Sequence, residues 1–309
     1  MDKLIDFSSY PVRIALHLLL QDKSTKRNII WATDPPEALL PNVTDRSQIT
    51  AEQLIQAGES TIQPRIFKVM ESQFERTKKK GEVFTPAWIC NLMNNTCDEE
   101  WFRRKDVFNT VDGNSWTVTP PPIEFPKRRT WKHYVDSRRL EITCGEAPYL
   151  VSRYDASTGE YILPYHRIGI LDRKLRIVNE NTEDFDEWFK WTLRAFQSVY
   201  GYEYQGDNLL IARVNLLMTF TEYYTERWRK EPVQKEILKI ANVIAWNLWQ
   251  MDGLNDVVPF GKPYEEIEQL SLFGIDEADE EQPESVPCKI YDWRKDNSLL
   301  FTALKKEGQ

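Results

Sequence analysis

Leu140-Glu141-Ile142-Thr143-Cys144-Gly145-Glu146-Ala147-Pro148-Tyr149-Leu150 is the stretch whose reading decides the fold. Leu140 to Thr143 has the composition of a short strand. It carries an acidic residue and runs into a turn containing Gly145, before an expected helix. In open parallel sheets such a junction brings backbone close to a ligand at the carboxyl ends of the strands, and a glycine permits that approach. An ordinary strand-to-helix turn has the same composition, so this segment alone does not assign a ligand.

Downstream the pattern alternates. A helix is expected from about Asp184 to Ser198 and a strand over Ser198 to Tyr204. A long helix follows over Asp207 to Arg229, where Leu210, Ile211, Val214, Leu217 and Met218 recur at the spacing of one buried face. A helix near Val233 to Lys239 leads into an expected strand, Ile240 to Trp249. This alternation from Arg139 to Trp249 predicts an α/β fold, a parallel sheet with crossover helices. Two more acids fall at strand ends. Glu203 closes Val199-Tyr200-Gly201-Tyr202-Glu203, where a carboxylate of a doubly wound sheet accepts the hydroxyls of a ribose. A solvated charge favoured by a helix N-terminus is the alternative. Asp252, in Gln250-Met251-Asp252-Gly253, follows the third expected strand and is placed to accept the exocyclic amine of an adenine ring. The three strand ends outline an adenosine-type site.

Upstream, helices are expected over Pro11 to Leu20 and from Thr50 to Gly58, the second opened by Thr50 and Gln53 at capping-box spacing. Asn28-Ile29-Ile30-Trp31-Ala32 reads as a short strand ended by Asp34-Pro35-Pro36. Thr85-Pro86 opens another helix, expected to reach about Asn95, because proline fits the first helical position. Asp112 to Arg129 reads as a proline-rich connector. Cys288 to Trp293 and Ser298 to Leu304 flank Arg294-Lys295-Asp296-Asn297 as a hairpin, and no internal repeat is present.

The 309 residues suffice for a buried core, and no apolar run approaches the length of a spanning helix. Met1-Asp2-Lys3-Leu4-Ile5-Asp6 does not resemble a secretory leader, and the four scattered cysteines suit reduced thiols, so a cytoplasmic protein without a membrane partner is expected. The net charge of −8 argues at first against nucleic acid. Nine of the acids, however, lie between Glu265 and Glu284 without one basic residue, which leaves the remainder nearly neutral. That remainder holds three basic clusters: Arg76 with Lys78, Lys79 and Lys80; Arg103-Arg104-Lys105; and Lys127-Arg128-Arg129. A solvated surface explains each singly, and together they keep nucleic acid in play. His17, His133 and His166 are not spaced with cysteines or aspartates as metal ligands are, so no metal is expected. Cys90 and Cys97 read as core or surface thiols, and Cys144 has no evident base.

Four blocks in order resemble a known family. Gly81-Glu82-Val83-Phe84-Thr85-Pro86, then Glu141 to Leu150, then Tyr200 to Leu217, then Asn247 to Gly253 are similar to motifs X, I, II and III of N6-adenine DNA methyltransferases of restriction-modification systems. The likeness extends to Asn28 to Asp34 and to Arg76-Thr77, and so covers most of the chain. It implies S-adenosylmethionine as cofactor and DNA as partner. It also implies a Rossmann-like cofactor-binding sheet. Phe84, Thr85 and Pro86 would pack near the methionine and adenine parts. Glu141 would face the methionine ammonium and Gly145 would lie beneath the amino acid moiety. Glu203 would hold the ribose and Asp252 the adenine.

The sequence departs from that pattern in two ways. Ala147 stands where the family has its second motif I glycine, a methyl group expected to crowd the cofactor. The Asn/Asp-Pro-Pro-aromatic tetrapeptide, which holds the target amine and stacks on the flipped base, is not found after motif III. Asp34-Pro35-Pro36-Glu37 lacks the aromatic and precedes motif I, so a turn accounts for it and no catalytic residue is assigned. The expected organisation is a mainly helical region over 1–111, a connector over 112–138, a Rossmann-like domain over 139–260, an acidic linker over 261–287 and a hairpin over 288–309. The expected function is the cofactor-binding part of such a methyltransferase, with a second chain supplying the catalytic motif and target recognition. A non-catalytic regulatory or DNA-binding subunit is the alternative.

Overall fold

The computed structural model describes residues 4–40, 42–56, 62–67, 85–262 and 285–303. Phe84, the basic cluster at Arg76 to Lys80 and the acidic run from Glu265 to Glu284 lie outside them. Helices α1 (Val12–Leu20) and α2 (Ala51–Gln56) stand where the sequence places them. The Thr50 capping box forms: Gln53 N donates to Thr50 Oγ1 at 3.3 Å, and Thr50 N donates to Gln53 Oε1 at 3.1 Å. Asn28 to Ala32 forms isolated bridges, Gln21 with Asn28 and Ile30 with Gln48, rather than a ladder.

Helix α3 (Ala87–Phe102) follows Pro86 and runs well beyond Asn95. Its buried face is polar, with Asn91, Asn94 and Asp98 turned inward, so an apolar period could not reveal its length. The connector also contains regular structure. Strands β1 (Asn109–Asp112) and β2 (Ser115–Val118) make a hairpin around Gly113, which adopts φ +58°. A short helix, α4 (Trp131–Val135), starts at Thr130, whose N–H donates to His133 Nδ1 at 2.9 Å.

Strand β3 (Arg139–Glu141) opens a three-stranded sheet with β4 (Val199–Glu203) and β5 (Leu248–Gln250). All pairs are parallel in the order β3-β4-β5, with Leu140 opposite Tyr200 and Tyr202 opposite Trp249. The first crossover holds α5 (Ile170–Asn181), which the sequence reading misses, and α6 (Phe185–Gln197), capped by Asp184 accepting from Glu187 N at 2.9 Å. The second holds α7 (Gly206–Trp228) and α8 (Gln234–Asn247). The expected strand Ile240 to Trp249 is therefore corrected to a helix end followed by β5. Ile237, Ile240, Ala241 and Ile244 are buried at helical spacing, and a run this apolar satisfies either period.

The molecule is mixed α/β. Val199 and Leu248 face a core shared with α1, α6, α7 and α8. On the opposite face Trp249, Tyr200 and Tyr202 meet Ile290 of a second antiparallel hairpin, β6 (Lys289–Asp292) and β7 (Asn297–Leu300), which stands where the sequence places it, and Phe301 just after it. Among the described residues no helix is long and apolar enough to cross a membrane.

Candidate functional site

The carboxyl ends of β3 and β4 open into a cavity of about 760 Å³, within the usual range for small-molecule sites. The loop after β3 forms one wall. Thr143, Gly145 and Ala147 all take left-handed conformations, at φ +46°, +53° and +64°, and the first and last are residues for which that backbone is costly. Nothing lies within 4 Å of where a Cβ on Gly145 would stand, so its backbone faces open space in the cavity. Ala147 is fully buried in the core and is not among the cavity-lining residues, so the methyl expected to crowd a ligand points elsewhere.

Two carboxylates brace this loop. Glu141, at the end of β3, accepts from the backbone N–H groups of Tyr149 (3.4 Å) and Leu150 (3.1 Å). Glu203, at the end of β4, accepts from Gly145 N at 2.8 Å and from Gln205 N at 3.1 Å. Burial dominates both. It pushes the Glu141 carboxyl up to about 8 against the opposing pull of the Tyr149 and Leu150 N–H groups, and the nearby Glu203 charge adds to the rise. Burial also raises Glu203, opposed by the N–H groups of Gln205 and Gly145.

The helix expected immediately after the turn begins only at Ile170, yet in space it follows directly. Ile170 N donates to Tyr149 O at 2.9 Å and Leu171 N to Leu150 O at 2.8 Å, so Val151 to Ile168 is an excursion inserted between loop and helix. Asn94 of α3 secures its two ends by donating to Tyr149 O (2.9 Å) and Ile168 O (3.0 Å).

The structure brings Thr85, Glu141, Gly145 and Glu203 to one cavity, with Pro86 next in chain at the start of α3. Asp252 is not among the lining residues. Its Oδ1 accepts from Leu254 N at 3.0 Å and its Oδ2 from Asn255 Nδ2 at 2.8 Å, so its carboxylate shapes its own turn. Asp34-Pro35-Pro36 leads into a single helical turn, Glu37–Leu39, also outside the lining. Asn94 and Asn208, passed over in the sequence, line the cavity, as do Cys97, read there only as a core or surface thiol, and Tyr149 of the loop. They reach it from helices and from the loop rather than from strand ends, and no spacing rule marks them. Among the described residues no group of histidine, cysteine and acidic side chains is arranged to hold a metal ion. Comparison with family models, curated proteins and solved structures found no match.

Proposed function

We propose that this chain is the S-adenosylmethionine-binding part of an adenine-specific DNA methyltransferase of a restriction-modification system, built on a Rossmann-like sheet. The observation that carries the reading is the convergence of two strand-end carboxylates, Glu141 and Glu203, on one cavity beside a left-handed glycine with open space before it. Each carboxylate has about four acceptor directions, so the backbone bonds leave capacity for a ligand. A cationic ammonium near Glu141 would favour its ionised form, and ribose hydroxyls suit Glu203. Thr85 lines the cavity, with Pro86 next to it in the chain. When bound, the cofactor supplies an electrophilic methyl group, and the residues of this chain bind and orient it.

A second polypeptide would contribute the missing tetrapeptide and the target-recognition domain. In support, β3 is an edge strand without an outer partner among the described residues, and Leu140 and Ile142 beside that edge are 47% and 63% exposed. The alternative, a regulatory or DNA-binding subunit without catalysis, is favoured by one observation: Asp252, the expected adenine partner, is committed to its own turn.

Calorimetry with S-adenosylmethionine tests the reading. Binding is expected in the wild type and at least tenfold weaker in Glu203→Gln, which keeps an acceptor for Gly145 N but loses the charge. No heat with a folded wild type would sink it.

A further inference from the structure

Two basic stretches separated in sequence meet at the far end of α3. Arg103 ends that helix in a left-handed conformation, φ +59°, and leads into Arg104 and Lys105. The segment carrying Lys127, Arg128 and Arg129 folds onto the same end. Phe125 packs against Phe102 at 5.5 Å and against Trp101 at 6.5 Å between ring centroids. The Arg129 guanidinium lies 4.8 Å from the Trp101 ring centroid and donates to Trp101 O, while Arg104 donates to Glu124 O at 3.1 Å. All six cations are exposed, and among the described residues none forms an ion pair, although Glu100, Asp106 and Glu124 stand on the same segments. Arg103 and Arg128 occupy positions, at φ +59° and +72°, where glycine or asparagine would cost less.

We propose that this surface, Arg103, Arg104, Lys105, Lys127, Arg128 and Arg129, holds the phosphate backbone of duplex DNA. Exposed cations without carboxylate partners are the footprint of a polyanion site, and in a remainder of nearly zero net charge the cluster is a local concentration of positive charge. The geometry relates it to the cavity. Cys97 lines the cavity and Arg103 follows it by six residues on or beside the same helix, about 9 Å along the axis. The surface and the cavity are thus tied to one helix, α3. The choice of DNA over another polyanion rests on the function proposed above, whereas the charge cluster does not.

The test is fluorescence anisotropy with a labelled mixed-sequence duplex, titrated between about 50 and 200 mM salt. The variant combines Arg103→Asn, Lys105→Gln, Lys127→Gln and Arg128→Asn. None of these four side chains makes a hydrogen bond among the described residues, and asparagine tolerates the left-handed positions. At about 0.9 per phosphate contact, the slope of log K against log salt is expected to become shallower by about 3 to 4, with affinity at low salt falling about 100-fold. Calorimetric binding of S-adenosylmethionine by the variant is expected to match the wild type, so a failure of the surface and a failure of the cofactor site are separately visible. The proposal is overturned if the wild type does not bind the duplex, if the variant keeps its affinity and slope, or if vesicles of phosphatidylcholine with phosphatidylserine bind more tightly than the duplex.

Discussion

Glu141 is the residue at which burial and charge conflict most directly. Its carboxyl sits at about 8 because burial outweighs the two backbone N–H groups it accepts from, while in the unfolded chain it returns to the ordinary carboxylate range. The folded state therefore binds more protons between about pH 4.3 and pH 8, and this contribution to stability is full at the acid end of the window and lost as pH rises through it. Asp172, raised to about 6 by burial against the pull of Arg167, acts in the same direction over part of that window. Urea denaturation of Glu141→Gln across this range is expected to show a flatter pH dependence than the wild type. The difference is bounded at roughly 5 kcal/mol, since each tenfold gain in proton affinity on folding is worth about 1.4 kcal/mol. An unchanged profile would mean that the carboxylate is solvated. Glu141, Gly145 and Glu203 were legible in the sequence because strand ends are where a parallel sheet presents polar groups. Asp252 satisfied the same rule and yet turned away, since Asp252-Gly253-Leu254-Asn255 is also the composition of a self-closing turn.

Among the elements, α7 shows how a buried cation escapes a reading by pattern. Its apolar face was evident, but the helix is covered on nearly every side, and Arg213 within it is fully buried. The Arg213 guanidinium donates to Leu19 O (2.6 Å) and Gln21 O (3.0 Å) at the end of α1 and to Leu248 O (2.6 Å) in β5. It joins three elements through their otherwise unpaired carbonyls, and burial lowers it to about 10. Arg213→Lys keeps the charge and loses the planar fork, so carbonyls are left without donors at about 1 to 3 kcal/mol each. The expected outcome is a fall of about 2 to 4 kcal/mol in unfolding free energy, checked by chemical denaturation. Likewise α5 was missed because Asp172, Arg173 and Lys174 occupy buried positions, where Arg173 pairs with Asp98 of α3 at 2.6 Å. A polar contact between two helices leaves no apolar stripe in either sequence. The β1–β2 hairpin, by contrast, carried a readable turn in Asp112-Gly113, overshadowed by the prolines that follow it.

Across the whole molecule, the sheet does not stand alone. One apolar cluster extends from Phe7 to Leu248 and includes residues of α1, α3, α5, α6, α7 and α8. Polar ties reinforce it: Gln250 Nε2 donates to Ile30 O at 2.8 Å and its Oε1 accepts from Ile30 N at 2.9 Å, while Gly206 N donates to Trp31 O at 2.8 Å. At Gly206 even a Cβ would lie 2.0 Å from Ile30 O, so only glycine admits the passing backbone. A fragment spanning residues 139–260 would expose the faces that α1, α3 and Trp31 cover. It is expected to lack cooperative thermal unfolding by near-ultraviolet circular dichroism, whereas a sharp transition would show that the sheet region stabilises itself.

The clamp between Ile30 and Gln250 also sets a timetable for synthesis. Its partners are separated by 220 positions, an interval that takes a ribosome about 10 to 45 s at about 5 to 20 residues per second. Ile29 and Trp31, each 1% exposed in the finished fold, emerge long before Gln250 exists to fasten the segment between them. Over that interval the nascent chain therefore carries a sticky segment, and the yield of correctly folded protein depends on shielding it until β5 arrives.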